Sequence, residues 1–390
     1  MDILYISPEF PPNYSHFIRH AHALGARVWA IGETEFFSMP PDLRSWIRWY
    51  VRTDLTNWRR AVRAVEELLE AKHALGVEGT FDLVESHNET WLRLEAIINE
   101  RFAIPGIYLQ EIETIKKKSL MKRVFQSIGL PVARGEPVAD LDDALQLADA
   151  IGYPVILKPD EGVGAGGTHR VENPDQLRSL FADLPPGYLI EEFIDAPIVT
   201  YDGLTDRQGR VLFDNTLVYG EGLIEYTRGT DTFFYVTRRI PEELRPIGSA
   251  LLAAFGIRGK FFHFEFFVRG GEYVPMEINS RPPGGAILDM MNFSVDGDLY
   301  RAWACMVMGL PVELPREKKY AVAYVGRKDK AYTLSHEEIL ARYGPLLVEA
   351  AENPAVYQDI MGRVRYLFRT ATESDIPAIA AAVRQTGAAA

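Results

Sequence analysis

The sequence predicts an α/β N-terminal domain joined to an α+β body made of two lobes. Three observations carry that expectation. Short apolar strands alternate with helical stretches through roughly the first hundred residues, long strands dominate the second half, and a glycine-rich loop separates two strands whose ends are charged.

Residues 3–6 are an apolar run bounded by turn residues, as a buried parallel strand requires. A helical stretch over 16–24 stops at Gly25, and residues 28–31 read as a second strand. Residues 59–75 repeat apolar side chains at helical spacing up to Gly76, residues 81–85 give a third strand, and residues 91–102 a further helix closed by Pro105 and Gly106. This order implies a parallel sheet with right-handed crossovers. Ligands of such sheets sit at the carboxyl ends of the strands. The loop Ser86-His87-Asn88-Glu89 therefore either faces a substrate, with Glu89 as the candidate contact, or caps the next helix through Asn88. A nicotinamide cofactor is excluded on this reading, because Ser7-Pro8-Glu9-Phe10-Pro11-Pro12 after the first strand holds no glycine.

From Thr114 the character changes. Lys116-Lys117-Lys118 opens an amphipathic helix that runs to Ser127, and residues 140–151 form another, ended by Gly152. Strands are expected over 154–158, 188–193, 211–218, 233–240, 261–269 and 272–278. The expected divisions are 1–112 for the N-terminal α/β domain, 113–194 for a small lobe, and 195–390 for a large lobe with a C-terminal subdomain.

A formal net charge of −12 argues against nucleic acid as a partner, since phosphate binding needs a basic footprint. The lone cysteine, Cys305, lies in an apolar helical setting and reads as a buried structural residue. No apolar run reaches membrane-spanning length, and the chain moves straight into a strand without the pattern of a signal peptide. A cytoplasmic protein without membrane partners is expected.

The segment from Pro275 to Gly285 is the most informative. On a strand, Glu277, Asn279 and Arg281 alternate onto one face, placing a carboxylate, an amide oxygen and a guanidinium in one space. The first two are hard ligands suited to Mg²⁺, and the third holds phosphate or carboxylate in a bidentate fork. Arg269-Gly270-Gly271-Glu272 is a hairpin turn, and pairing the two strands can bring Glu265 alongside Glu277 on the same face. Two carboxylates so close call for a divalent cation. Glu265 lies in sequence among five phenylalanines, where a carboxylate needs a partner. Upstream, a strand delivers Lys158 to a loop carrying Gly162, Gly164, Gly166 and Gly167, whose backbone amides can converge on phosphate oxygens. The strand ending Glu191-Glu192-Phe193-Ile194 offers backbone groups to an adenine edge, or is an ordinary edge strand.

Taken in order, these pieces resemble the ATP-grasp superfamily, in which two lobes clamp ATP between antiparallel sheets. The resemblance covers residues 118–281 well and the flanks loosely. It implies that Lys118 and Lys158 touch the nucleotide, that the glycine loop covers its phosphates, and that residues 191–194 form the adenine hinge. It further implies Glu265, Glu277 and Asn279 as magnesium ligands, with Mn²⁺ as a substitute, and Arg281 and Lys158 as catalytic cations. One departure stands out: Ile198 falls where the family places a ribose-binding glutamate. Phe262-His263-Phe264-Glu265 with residues 277–285, and the closing segments 320–325 and 364–370, resemble carboxylate–amine ligases of the L-amino-acid ligase group. Small-molecule acid and amine substrates, an acyl-phosphate intermediate and a homodimer are what that likeness implies. His263 is a candidate general base or a hydrogen-bonded core histidine. Arg228, Arg238 and Arg239 are candidate substrate anchors. An ATP-grasp carboxylase, a thioester-forming ligase and a silent nucleotide-binding regulator are the alternatives.

Overall fold

A computed structural model of the chain describes residues 1–162, 166–315 and 317–387, with the side chains of 223 and 224 also outside the description. Its strands fall into three sheets in chain order. The first holds β1 (Asp2–Ile6), β2 (Arg27–Gly32), β3 (Ile47–Arg52) and β4 (Leu83–Glu85), all parallel, in the order β3-β2-β1-β4. The second holds β5 (Gly135–Pro137), β6 (Val155–Pro159), β7 (His169–Val171) and β8 (Tyr188–Glu192), antiparallel, in the order β5-β8-β6-β7. The third is a nine-stranded antiparallel sheet from β9 (Ile198–Thr205), β10 (Val211–Asn215), β11 (Leu217–Tyr219), β12 (Phe233–Val236), β13 (Phe261–Arg269), β14 (Glu272–Asn279), β15 (Ala321–Arg327), β16 (Leu347–Glu352) and β17 (Val364–Thr370).

The parallel sheet is buried on both faces, which is why β1 and β2 read as continuous apolar runs. Leu4, Ile6, Trp29 and Ile31 meet the helices Trp58–Ala74 and Leu92–Phe102 on one side. Ile3, Tyr5, Val28 and Ala30 join Phe17 of the helix Ser15–Ala23 on the other, where Trp303 of the helix Leu299–Val307 completes one shared core. The N-terminal domain is thus packed directly on the second half of the chain.

Three expectations change. Residues 211–218 are two strands, Val211–Asn215 and Leu217–Tyr219, and at the break the Leu217 amide donates to the Thr200 hydroxyl of β9. The lysine run does not open one helix: a helix Leu109–Lys116 ends there, Lys117 is extended, and a new helix runs Lys118–Ser127. Its cap is non-local, since the Asp160 carboxylate accepts from the Ser119 amide and hydroxyl, each at 2.7 Å. Finally, Glu265 is not embedded in phenylalanine. Phe262, Phe264 and Phe266 alternate to the opposite face and pack with Met121, Phe125 and Leu251, each such burial contributing roughly 2–3 kcal/mol.

A buried charge knot joins the first domain to the central sheet. Lys260 Nζ sits 2.9 Å from Glu85 Oε1 and 2.7 Å from Glu95 Oε2. Burial, with the charge of Glu85, pushes the Glu95 carboxyl up to about 7 despite Lys260, and Glu95 also accepts from the Ser86 hydroxyl and amide. Removing the lysine would strand both carboxylates. Lys260→Met is expected to lower the unfolding free energy by about 3–5 kcal/mol, measured by urea denaturation; an unchanged midpoint would mean the knot contributes nothing.

Candidate functional site

The hairpin of β13 and β14 builds the centre of the site. Its register sets Glu265 opposite Glu277 and His263 opposite Asn279. Glu265 Oε1 takes a hydrogen bond from the Tyr219 hydroxyl at 3.3 Å and lies 3.5 Å from His263 Nε2. Burial alone would raise the Glu265 carboxyl, but His263, Arg281 and Tyr219 hold it below the usual range. Glu277 goes the other way: burial and the charges of Glu89 and Glu265 outweigh Lys118 and Lys158, so its carboxyl is raised. Next to them the Asn279 Oδ1 is buried without a hydrogen-bond partner. Two carboxylates and an orphaned amide oxygen on one sheet face are a donor set that fits Mg²⁺. Among the described residues no three His, Cys, Asp or Glu side chains converge as a metal cluster, so the amide is needed as the third ligand.

Cations line this centre, each met by a carboxylate. Lys118 Nζ lies 3.7 Å from Glu277 Oε1, and Lys158 Nζ 2.5 Å from Glu191 Oε2. Lys122, one turn along the helix from Lys118, reaches Glu191 Oε1 at 3.0 Å and the Gly135 carbonyl at 2.8 Å. These contacts hold Glu191 below its ordinary value in spite of its burial. Arg281, just past the end of β14, donates to Glu89 Oε2 at 2.6 Å, and Lys116 Nζ lies 3.2 Å from Glu89 Oε1.

The N-terminal domain supplies the far wall. Glu89, almost fully buried, follows β4, and Arg281 with Lys116 depresses its carboxyl against the effect of burial. Both readings of the Ser86–Glu89 loop meet here, since the Asn88 side chain accepts from the Thr90 amide while Glu89 enters the site. From the loop after β1, Asn13 donates to the Gly285 carbonyl at 3.1 Å and to Asp289 at 3.0 Å, and the Tyr14 hydroxyl donates to the Pro283 carbonyl at 2.7 Å. Ser7 and His87, one after β1 and one after β4, both adopt φ of +54°, a conformation non-glycine residues rarely take. Strain at both strand ends is the mark of loops shaped for a site.

Other sequence-chosen residues divide. Glu191 stays in the sheet with its side chain turned to the lysines, while Glu192 is bound by Arg134 at 3.0 Å and Arg269 at 3.2 Å. Beyond β8, Phe193 lies under the Arg170 guanidinium and Ile194 is buried; among the described contacts their backbone groups carry no protein hydrogen bond. In the glycine loop, Gly167 has φ of +73°, and a Cβ there would come within 2.7 Å of the Tyr188 hydroxyl, so only glycine fits. Gly162 and Gly166 flank the loop, and Gly164 lies outside the described residues.

Two readings are corrected. His263 is not a free base: its Nδ1 is 2.6 Å from Asp202 Oδ1, and the two neighbouring carboxylates raise it to about 9 against the pull of burial, so it holds its proton. Arg238 is not a site anchor: it donates to the Ala371 carbonyl and its amide to Glu373, beyond the end of β17. Arg239 and Arg228 are exposed, and neither contacts the carboxylate pair. Lys122, Lys116, Tyr219 and Asp202 were not anticipated. Lys122 alone had a signal, its four-residue spacing from Lys118 on a helix.

Comparison with known proteins supports the fold and an ATP-binding domain within it. Residues 117–212 match the family model described as the carbamoyl-phosphate synthase L chain, ATP binding domain. The carbamoyl phosphate synthase large chain of Caldanaerobacter subterraneus is 30% identical over 121 residues, 30% of this chain and 11% of that protein. A pyruvate carboxylase subunit of Methanothermobacter thermautotrophicus is 32% identical over 115 residues, 26% of this chain and 23% of that one. The chain thus spans a quarter or less of the length of these relatives. Among solved structures, the L-amino acid ligase from Bacillus licheniformis superposes with a TM-score of 0.73 at 16% identity, over 97% of this chain and 95% of that one. The N5-carboxyaminoimidazole ribonucleotide synthetase from Thermus thermophilus gives 0.69 at 17% identity, over 99% of both. The biotin carboxylase domain of 2-oxoglutarate carboxylase from Hydrogenobacter thermophilus, in complex with MgADP and bicarbonate, gives 0.67 at 14% identity, over 95% and 86%.

The wall loop yields a pH test. His87 is stacked on Phe17 at 3.7 Å, its Nδ1 meets the Tyr5 hydroxyl at 2.7 Å, and burial drives its pKa from 6.5 down to about 3. A depressed folded value means stability that is complete above the unfolded value and lost as pH falls toward the folded one. Between pH 6 and 4 the protein is expected to lose up to about 1.4 kcal/mol per pH unit relative to His87→Gln, read from urea denaturation of both. Parallel pH curves would contradict a neutral buried imidazole.

Proposed function

We propose that this chain, an ATP-grasp protein by its fold and its ATP-binding domain, is a carboxylate–amine ligase that forms an amide through an acyl phosphate. The observation that carries the proposal is the partly buried, in-register pair Glu265 and Glu277 beside the unpartnered Asn279 oxygen, with Arg281 adjoining. Glu265, Glu277 and Asn279 would hold Mg²⁺. When bound, the ion neutralises charge on the terminal phosphates of ATP.

On this reading Lys118 and Lys158 exchange their protein carboxylates for phosphate oxygens, and the backbone beyond β8 takes the adenine edge. Arg281 and Lys116, both next to Glu89, orient the acid substrate. Its carboxylate oxygen attacks the γ-phosphorus, the bond to the β-phosphate oxygen breaks, and ADP leaves with that electron pair. Catalysis of this step is positioning and charge neutralisation. The amine nitrogen then attacks the acyl carbon, the bond from that carbon to the phosphate oxygen breaks, and the departing phosphate takes up the nitrogen's extra proton. Glu89 supports an amino-bearing substrate, because a carboxylate beside a guanidinium complements a molecule carrying both charges. His263, already protonated, is not needed as a base.

A second reading, activation of bicarbonate, is favoured by the identity of the local sequence relatives, one of which belongs to a pyruvate carboxylase. The two differ in which acid triggers turnover.

Phosphate release from Mg-ATP across a matrix of amino acids, small acids, amines and bicarbonate separates them. Release that needs an acid and an amine together, with an amide detected by mass spectrometry, is the expected result. Bicarbonate-driven release alone would install the second reading. Glu277→Ala is expected to lower turnover at least about a hundredfold, and Arg281→Lys at least about tenfold because one ammonium cannot replace the fork. Wild-type rates in both would remove the proposed site.

A further inference from the structure

A buried polar seam crosses the central sheet and ends on the candidate cation ligand. Lys318 Nζ lies 2.5 Å from Asn215 Oδ1, and Asn215 Nδ2 donates to Asp202 Oδ2 at 3.4 Å. The Thr200 hydroxyl donates to the same Asp202 oxygen at 2.5 Å and accepts from the Leu217 amide at 3.1 Å. Asp202 Oδ1 then meets His263 Nδ1 at 2.6 Å, and His263 Nε2 faces Glu265 Oε1 at 3.5 Å. The strand register explains the alignment: His263 stands opposite Asp202, Glu265 opposite Thr200, and Asn215 opposite Asp202.

Stability does not account for this arrangement. Asp202 is fully buried on β9, and burying an ion pair is often no better than packing apolar residues in its place. What the seam achieves is orientation. Both described protein contacts of the Glu265 carboxylate, from Tyr219 and His263, fall on Oε1, and none falls on Oε2. The imidazole delivers its Nε2 to Oε1 only while its other nitrogen is anchored, and Asp202, itself fixed by Thr200 and Asn215, is that anchor.

We propose that Asp202 is a positioning residue of the cation site, acting through His263 to turn Glu265 so that one oxygen is held by the protein and the other is presented to the ion. The inference rests on the reading of Glu265 as a cation ligand. Outer partners of metal-binding side chains commonly carry a factor of about ten to a hundred in affinity.

The test is Mn²⁺ binding to the full chain in the presence of ADP, followed by the loss of the free-ion signal in electron paramagnetic resonance. Asp202→Asn keeps the shape and is expected to weaken Mn²⁺ about tenfold while the thermal melting temperature stays within a few degrees. In a Glu265→Gln background, where Glu277 and Asn279 still take the ion more weakly, the same substitution is expected to cause no further loss. Unchanged affinity in Asp202→Asn, or an equal loss in both backgrounds, overturns the positioning role. Wild-type affinity in Glu265→Gln alone instead overturns the cation site beneath it. Should Asp202→Asn fail to fold, His263→Gln breaks the same link and carries the same expectations.

Discussion

Two carboxylates held side by side and largely withdrawn from water are the constraint around which this molecule is arranged. At the spacing of directly opposed residues on paired strands, about 5 Å, their repulsion is about 3 kcal/mol at an effective dielectric near 20. The sheet sets the two backbone positions opposite each other through the register of Glu265 on Glu277. The response is divided. His263, Tyr219 and Arg281 keep Glu265 ionised, while Glu277 shifts toward its protonated form. The positive charges come from separate parts of the chain: a helix start, a strand of the small sheet, and the turn after β14. Bringing them together requires the whole fold to form.

The N-terminal domain takes part in that requirement. Lys260 lies just before β13, three residues from His263, and Glu85 ends β4 just before the Ser86–Glu89 loop. One buried contact thereby fixes the height of Glu89 relative to Glu265. Asn13 and Tyr14 fasten the loop after β1 to the turn 283–289 beyond Arg281. The two halves of the candidate site, a wall of parallel-sheet loops and an antiparallel hairpin, are held as one object by the Lys260 knot and the shared core of Phe17 and Trp303.

The hairpin was legible because its information is local: a Gly-Gly turn and period-two alternation, with Glu277 one residue farther from the turn than Glu265 and a bulge between Glu265 and Phe266 taking up the difference. Three strands of the parallel sheet were legible for the same reason, in short apolar runs bounded by turn residues; β3, an edge strand with Arg48, Trp49 and Arg52 exposed, carries no such run and was missed. Legibility failed where the deciding partner is distant in sequence. The break at Lys117 depends on Asp160, some forty residues on, capping the second helix. The charge state of His263 depends on Asp202, and the direction of the Glu191 side chain on Lys122 and Lys158. The phenylalanines around Glu265 misled differently. Period two already assigns Phe264 and Phe266 to the opposite face, so alternation decides the surroundings of Glu265 and local composition does not.

Self-pairing of charges explains how such a cleft stays folded and selective at once. Lys158 and Lys122 share Glu191, Arg281 and Lys116 share Glu89, and Lys118 faces Glu277. Each of these five cations has a carboxylate within reach, but three carboxylates serve all five, so their field is reduced and not abolished. A ligand that is merely anionic gains only from that remainder, since beyond it the ligand must replace carboxylates already in place. It gains when it brings several anionic oxygens at the spacing of Lys118, Lys158 and Arg281 together with a cation for Glu265 and Glu277. Then every displaced carboxylate finds a new partner in the same event. A polyphosphate with its metal meets that condition and a lone phosphate does not. Discrimination on this view arises from the number of exchanges made together, with no single contact decisive.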